Sequence, residues 1–321
     1  MNGRISLPAE GPEGTNLLGF MTALGALALL ELHRPDWQPE LSWEEEERKG
    51  GIRPRLYLCC RAESPESAKK AVVAVLLDAI KDQRYQELFR DFEKNLKVDR
   101  ELFRARLKAL RDQGKWHFTD LLAGLIGEDL SGEEIVHSPL KTLNGAGHQD
   151  FLPTLWNLTD NVTADHLRRA LFETWHYEDE RYVFRWDPAD YRPQAYRARD
   201  PASDRVHPPR TEWGANRLAF DALVFFPVLP GGQTVAFRSI NESRRYEDGR
   251  QDFVMRWPLW RYPLGRKEIA GLLRLPDLWL NGNDRLQRLG VFAIVECTRF
   301  MVGKGQVGFT AGNVVWTDGS A

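Results

Sequence analysis

The sequence predicts an α+β fold with a helix-rich N-terminal part and a mixed, strand-rich C-terminal part. Up to about residue 130, apolar residues recur at helical spacing within charged segments. Beyond residue 181, short apolar runs alternate with proline and glycine, which is typical of strands joined by turns. We therefore predict a helix-rich N-terminal domain over residues 1–137, a glycine loop and connecting helix over 138–180, and an α+β C-terminal domain over 181–321.

The first predicted element is a buried helix over Leu17–Leu32, which Thr15 or Asn16 would cap. Its apolar residues occur on every face, as expected of a helix enclosed by protein. Gly19, Ala23 and Ala26 recur at helical spacing and would allow another element to approach closely. The run has sixteen residues, whereas about 20 are needed to cross a bilayer. The sequence therefore predicts no contact with a membrane.

The remaining elements follow from periodicity and turn chemistry. Helices are predicted over residues 67–83, 84–95, 99–113, 163–176 and 265–273, with another beginning near residue 151. Strands are predicted over residues 56–60, 182–186, 222–228, 234–238, 253–260, 291–296, 307–309 and 313–316. Pro227, Pro230 and the glycine pair at 231–232 indicate a hairpin between strands 222–228 and 234–238. Residues 214–220 are a short helix or a bend that positions Asn216 and Arg217.

The composition is that of an ordinary globular protein, with 42% apolar and 28% charged residues and a net charge of −2. This charge does not indicate nucleic-acid binding by itself. Three cysteines, two of them adjacent, form neither a disulfide framework nor zinc-ligand spacing. The cysteine pattern therefore favours a reducing, cytoplasmic location.

A glycine loop within Ser138–Leu152 is the first candidate binding site. Asn144 begins the Asn-Gly-Ala-Gly turn, Lys141 precedes it, and His148 and Gln149 follow it. Backbone N–H groups of such a loop, together with a helix that starts near residue 151, would hold a phosphate. The alternative interpretation is a flexible connector between domains.

A second candidate is the proline-containing segment 190–210, which we predict to be a long irregular loop. Residues 185–217 contain seven arginines against five acidic residues, and two tyrosines lie among those arginines. Arginine interleaved with tyrosine is suited to sugar-phosphate contact and base stacking. The candidate contacts in this region and beyond it are Arg192, Arg199, Arg205, Arg217, Arg261 and Lys304.

Several catalytic classes are excluded by missing motifs. The sequence contains no GxxxxGK[ST], HExxH or GxSxG pattern. Cys297 lies in an apolar strand and is expected to be unreactive core. Asp277 and Glu296 have the residue type of a metal-dependent nuclease, but the lysine expected two residues after the glutamate is Thr298. We predict no catalytic residue, no metal ligand and no cofactor.

Five segments together resemble a known family. They are NLLGFMTALGALALLE near the start, Arg185-Trp186-Asp187-Pro188, Gly214-Ala215-Asn216-Arg217-Leu218-Ala219, Arg256-Trp257-Pro258-Leu259-Trp260 and Gly303-Lys304-Gly305. With these segments the chain resembles large-subunit-like CRISPR-associated proteins of type I effector complexes, subtype I-G (formerly I-U). It is shorter than a typical large subunit of these complexes, which leaves recognition of a protospacer-adjacent motif open.

The resemblance implies a non-enzymatic subunit of an antiviral surveillance ribonucleoprotein. Such a subunit would contact guide RNA, target DNA and other CRISPR effector subunits. One alternative is a structural or adaptor protein that binds protein partners only, through its tryptophans and arginines. Another is a metal-dependent nuclease that uses Asp277 and Glu296. The sequence does not distinguish RNA from DNA as the ligand.

Overall fold

The structure is a computed structural model. It describes residues 3–46, 51–129, 131–145, 149–190, 210–231, 234–236, 240–245, 251–280, 284–302 and 306–319. Its helices and small sheets confirm the predicted α+β class.

Helices dominate the part of the chain before residue 180. The α-helices, in chain order, are α1 Leu17–His33, α2 Pro65–Ile80, α3 Arg84–Leu88, α4 Arg100–Asp112, α5 Trp116–Leu125, α6 Phe151–Asn161, α7 Ala164–Phe172, α8 Trp213–Asp221, α9 Arg266–Leu272 and α10 Asp284–Arg288. Short 3-10 turns span Pro35–Trp37, Pro188–Asp190, Ala222–Phe225 and Pro276–Trp279.

The longest strands lie in the C-terminal part, as predicted. The strands are β1 Ile5–Pro8, β2 Glu40–Glu45, β3 Ile52–Leu58, β4 Ile126–Glu128, β5 Ile135–His137, β6 Asp179–Glu180, β7 Arg210–Thr211, β8 Leu229–Gly231, β9 Thr234–Ala236, β10 Ile240–Arg245, β11 Gln251–Trp260, β12 Val291–Val302, β13 Gln306–Phe309 and β14 Asn313–Thr317. One antiparallel sheet has the order β1-β3-β2. The larger sheet has the order β10-β11-β12-β13, and β14 also pairs with β12. The pairs β4–β5, β6–β7 and β8–β9 form small ribbons.

Helix α1 is the centre of the core. Its residues from Leu17 to Leu30 are all buried, which explains why the apolar residues occupy every face. Asn16 is the cap, because its side-chain oxygen accepts a hydrogen bond from the Gly19 N–H at 3.2 Å. A Cβ on Gly25 would lie 1.8 Å from the Leu218 carbonyl oxygen, so only glycine lets α8 pack this closely on α1. Close packing was predicted at Gly19, and there a Cβ would meet the backbone of Glu13 instead.

Aromatic residues join the N-terminal and C-terminal parts. Phe20 of α1 stacks on Trp43 of β2 and on Trp257 of β11, each at a centroid distance of 5.6 Å. The indole N–H of Trp257 donates to the Gly14 carbonyl at 2.8 Å. The indole N–H of Trp260 donates to the Leu41 carbonyl at 2.7 Å. One cluster of buried apolar residues extends from β1 to β13, and much of the tryptophan content contributes to this core.

The strand predicted over residues 182–186 is wrong. Tyr182 and Arg185 have φ values of 40° and 59°, which no β-strand residue adopts. The Phe184 N–H donates to the Asn216 side-chain oxygen at 2.9 Å. The Trp186 indole donates to the Leu140 carbonyl at 2.8 Å. This segment is therefore held by side-chain and loop hydrogen bonds in place of a sheet partner.

The predicted hairpin exists but begins later than expected. Residues Ala222–Phe225 form a fully buried 3-10 turn that continues α8. The first strand is Leu229–Gly231, and it pairs with Thr234–Ala236. A short apolar run is equally compatible with a buried strand and a buried helical turn, and periodicity therefore did not separate them. Residues 214–220 belong to α8, so the helix is the correct one of the two predicted alternatives.

Candidate nucleic-acid interface

Arg217 lies in the core, which corrects its prediction as a nucleic-acid contact. It is on α8, has no exposed surface, and donates from all three guanidinium nitrogens. One nitrogen donates to the Asp221 carboxylate at 2.7 Å, another to the Ile80 carbonyl at 2.9 Å, and the third to the Thr159 hydroxyl at 3.0 Å. With its hydrogen bonds satisfied inside the protein, Arg217 is a structural residue.

Asp221 is the counter-ion of this buried network. Its carboxylate also accepts a hydrogen bond from the Tyr85 hydroxyl at 2.5 Å and contacts His117 Nε2 at 3.1 Å. Burial by itself would raise the pKa of Asp221, but the Arg217 charge and the His117 hydrogen bond hold it below its usual value. Burial raises the pKa of Tyr85 well above its ordinary value. The network is therefore the buried Arg217–Asp221 ion pair, with Tyr85 and His117 as further partners of the Asp221 carboxylate.

The glycine loop contains a buried cation. Lys141 is 5% exposed, and its ammonium donates to the Asn144 side-chain oxygen at 2.8 Å. Burial, and secondarily the charge of Lys97, lower the pKa of Lys141 to about 8. Among the described residues, no carboxylate forms an ion pair with Lys141. Asn144 itself is exposed. Its side-chain amide therefore connects the buried ammonium group of Lys141 to the protein surface.

The other end of the loop is closed by Gln149. Its side-chain oxygen accepts two hydrogen bonds from the Arg185 guanidinium, at 3.0 and 2.6 Å. Its backbone carbonyl accepts from the Gly145 N–H at 3.0 Å, where Gly145 has a φ of 84° that favours glycine. The structure thus brings Lys141, Asn144 and Gln149 into one loop. His148, which was predicted with them, lies outside the described residues.

Helix α6 follows the loop, as predicted, but its first N–H groups already have protein partners. The Phe151 N–H donates to the Asn95 side-chain oxygen at 3.0 Å, and the Leu152 N–H donates to the Lys94 carbonyl at 2.8 Å. Pro153 has no N–H. The prediction that this helix start would hold a phosphate is therefore wrong, and anion binding here would fall to the loop side chains.

The remaining predicted contacts divide into two sets. Arg261 is 38% exposed on its side chain, forms an ion pair with Asp318 at 2.5 Å and lies over the Phe292 ring at 4.6 Å. The Arg261 guanidinium therefore already has a carboxylate partner in the folded protein. The other predicted contacts fall outside the described residues: Arg192, Arg199, Arg205 and Lys304.

The two carboxylates of the nuclease alternative are each paired with arginine. Glu296 accepts from Arg256 at 2.7 Å, and Asp277 lies 3.3 Å from Arg285. Within the described part of the chain, no group of three or more His, Cys, Asp or Glu side chains is arranged to hold a metal ion. Cys297 is 2% exposed, and burial raises the pKa of its thiol above its ordinary range.

A basic groove, which sequence reasoning missed, lies between α3, α4 and the start of α5. It encloses a volume of about 250 Å³. Four cationic side chains and one carboxylate are among its lining residues, which are Arg84, Glu87, Leu88, Arg90, Arg106, Ala109, Leu110, Gln113, Lys115 and Phe118. The cations come from separate elements, so no linear motif marks them. The sequence predicted charged helices over 84–95 and 99–113 and no binding site between them.

The groove cations are held in different ways. Arg84 pairs with Asp82 at 2.5 Å, and Lys115 pairs with Glu87 at 3.3 Å. Arg106 donates to the carbonyls of Leu88 and Arg90 at 2.9 and 3.0 Å. The Arg90 side chain is exposed and forms no hydrogen bond or ion pair with any residue that the structure describes.

Comparisons with family models, curated proteins and solved structures found no match for this chain. No α-helix within the described ranges has the length and apolar character that crossing a membrane requires.

Proposed function

We propose that this chain is a non-enzymatic, nucleic-acid-binding subunit of a type I CRISPR surveillance ribonucleoprotein. In that role it contacts guide RNA or target DNA and neighbouring effector subunits. The observation that carries the proposal is the glycine loop, where the buried Lys141, which has no carboxylate partner among the described residues, lies behind an exposed amide. The phosphate backbone of a nucleic acid is a ligand that would give this lysine an anionic partner.

Four of the five segments that carry the family resemblance pack against one another, and the fifth, residues 303–305, lies outside the described residues. Asn16, at the start of the N-terminal segment, donates to Asp187 at 3.1 Å. Thr22 of the same segment donates to the Ala215 carbonyl at 3.2 Å. Trp257 reaches the loop before α1 through its bond to Gly14. These contacts support the interpretation that the segments are one structural signature, although they are far apart in the sequence.

The proposal is tested by purifying the chain from its native cells under gentle conditions. We expect the preparation to contain short RNA of uniform length, seen as a high 260/280 nm absorbance ratio and as a discrete band after protein digestion. Protein partners without nucleic acid would contradict the proposal and favour the adaptor alternative. Cleavage of an oligonucleotide that depends on Mg²⁺ would contradict the non-enzymatic role.

The variant Asn144→Ala tests whether the glycine loop binds nucleic acid. Asn144→Ala removes the exposed amide while the buried Lys141 stem keeps its packing, so we expect oligonucleotide affinity to fall about 3- to 10-fold, as for one lost hydrogen bond to a charged group. Asn161→Ala is a matched control, because Asn161 is an exposed amide at the far end of α6 whose one side-chain hydrogen bond to a described residue is to the Asn157 carbonyl in its own helix. Equal affinities of the parent and the Asn144→Ala variant would remove the loop from the interface.

A further inference from the structure

We infer that the basic groove and Trp116 together bind a single-stranded nucleic acid, with the groove on the sugar-phosphate backbone and Trp116 stacked on a base. This site rests on the proposed function and names the surface and the ligand form that it would use. The site lies on α3, α4 and α5. It includes none of the nucleic-acid contacts that were predicted from the sequence.

Charge is the first support. Four of the lining side chains are cationic and one is acidic, although the whole chain has a net charge of −2. Arg106 is anchored by the backbone carbonyls of Leu88 and Arg90, which fixes the position of its guanidinium. Arg106 also lies 3.6 Å from Asp91, whose side chain is 64% exposed. Arg90 remains exposed and without a partner among the described residues. A phosphate can therefore bind Arg90 without breaking an existing ion pair, and fixed cations nearby add favourable potential.

The aromatic neighbour is the second support. Trp116 directly follows the groove residue Lys115, begins α5, and is 58% exposed. Its ring makes no aromatic contact with the side chains that the structure describes. An exposed tryptophan beside clustered cations is the arrangement on which unpaired bases stack.

The combination selects the form of the ligand. Bases in a duplex already stack on one another and are not available to a side-chain ring, whereas those of a single strand are. The floor of the groove is apolar, with buried Leu88, Leu110 and Phe118, so a ribose or base edge can rest on it. An acidic peptide would use the cations but would not require Trp116. Single-stranded RNA or DNA is thus the ligand class that uses both features.

Binding of the full chain to labelled oligonucleotides tests the inference. The probes are a fluorescent 20-nucleotide oligo(U), the matching oligo(dT), a mixed-sequence 20-base-pair duplex and inorganic polyphosphate. We expect the single strands to bind more tightly than the duplex. Arg90→Glu should weaken single-strand binding about 10-fold and flatten its dependence on salt concentration. Trp116→Ala should weaken it roughly 5- to 50-fold while leaving polyphosphate binding unchanged.

Two matched variants control for charge and for exposed apolar area. Lys267→Glu makes the same change in net charge at an exposed position of α9. Leu280→Ala removes an apolar side chain that is also 58% exposed. Both should bind like the parent, and all four variants should keep the parent's circular dichroism spectrum.

The outcomes separate this site from the proposed function. Tight single-strand binding that neither Arg90→Glu nor Trp116→Ala weakens would overturn the groove and leave the proposed function standing. Failure of the parent to bind any oligonucleotide would overturn both. Loss of polyphosphate binding in Arg90→Glu, with no effect of Trp116→Ala on any probe, would overturn base stacking and hence the single-stranded ligand.

Discussion

Arginine has opposite roles in two neighbouring regions of this molecule. In the network around Arg217, the guanidinium is fully buried, pairs with Asp221, and has every nitrogen satisfied. In the basic groove, Arg90 is exposed and lacks a partner among the described residues. The two regions meet at α3, because Tyr85 bonds Asp221 while the adjacent Arg84 lines the groove.

The difference shows that a carboxylate four residues away can decide the role of an arginine. Asp221 lies one helical turn after Arg217 on α8, so the pair forms within the helix and can be buried as a unit. Arg90 has no carboxylate four residues away on either side in the sequence. A basic residue in a sequence therefore indicates a binding surface only when its local counter-charges have been counted.

The largest expected effect is the loss of stability when the buried pair is broken. Asp221→Leu leaves the guanidinium of Arg217 buried and unpaired, which typically costs about 3–5 kcal/mol. We expect chemical denaturation to show this decrease in the free energy of unfolding.

The double variant Arg217→Met/Asp221→Leu is the control, since it removes both charges and should recover part of the loss. If Asp221→Leu alone unfolded at the parent's denaturant concentration, Arg217 would not be a buried, paired residue, and the contrast with Arg90 would disappear.

The next effect concerns the packing that places Arg217. Gly25→Ala would push α8 away from α1, because its Cβ would meet the Leu218 carbonyl. We expect a destabilisation of about 2–3 kcal/mol, as for other overpacked cores, measured by thermal unfolding. Gly271→Ala in α9 is the matched control, because no atom lies within 4 Å of its added Cβ. A control as destabilised as Gly25→Ala would indicate a general cost of replacing helical glycine.

The glycine loop is a third cationic site, and there we expect the free energy of unfolding to depend on pH. His137 is largely buried near Lys141, and burial, reinforced by that charge, lowers its pKa from 6.5 to about 4. The unfolded chain therefore binds a proton between pH 6.5 and 4 that the folded chain does not. Stability from this group is complete above pH 6.5, decreases as the pH falls, and is lost below pH 4. The expected decrease is on the order of 3 kcal/mol.

His137→Gln isolates this contribution, because glutamine keeps a donor for the Leu96 carbonyl that His137 contacts at 3.2 Å and does not titrate. The parent should lose more stability than the variant between pH 6.5 and 4. Parallel pH profiles would contradict the burial of His137 beside a cation.

The smallest expected effect is on the stability of groove variants. Arg90→Gln removes an exposed side chain without a described partner, and surface substitutions of this kind usually change stability by less than about 0.5 kcal/mol. A loss greater than about 1 kcal/mol would mean that Arg90 supports the fold, and the comparison with Arg217 would fail.

Much of the fold followed from local patterns. The enclosed helix α1, its cap at Asn16, and the long strands β11 and β12 were predicted because their signals are continuous in the sequence. The strand predicted over residues 182–186 failed for a tertiary reason. Its backbone hydrogen bonds go to distant side chains such as Asn216, and no local pattern records such partners.

The candidate site was predicted less well than the fold. The loop residues Lys141, Asn144 and Gln149 do lie together, since they are close in sequence. The burial of Arg217 was not predicted, because its signal in the sequence is the carboxylate of Asp221 four residues later. The groove was missed because packing, not spacing, brings its cations together.

The most direct test measures stability and single-strand affinity on one matched pair of variants, Arg90→Gln and Arg217→Met. We expect Arg90→Gln to melt like the parent and to bind oligo(U) several-fold more weakly, with a salt slope reduced by about 1. We expect Arg217→Met to melt roughly 6–12 °C lower and, at a temperature where it remains folded, to bind like the parent. Unchanged binding by Arg90→Gln, or lost binding by folded Arg217→Met, would contradict the division between a structural and a binding arginine.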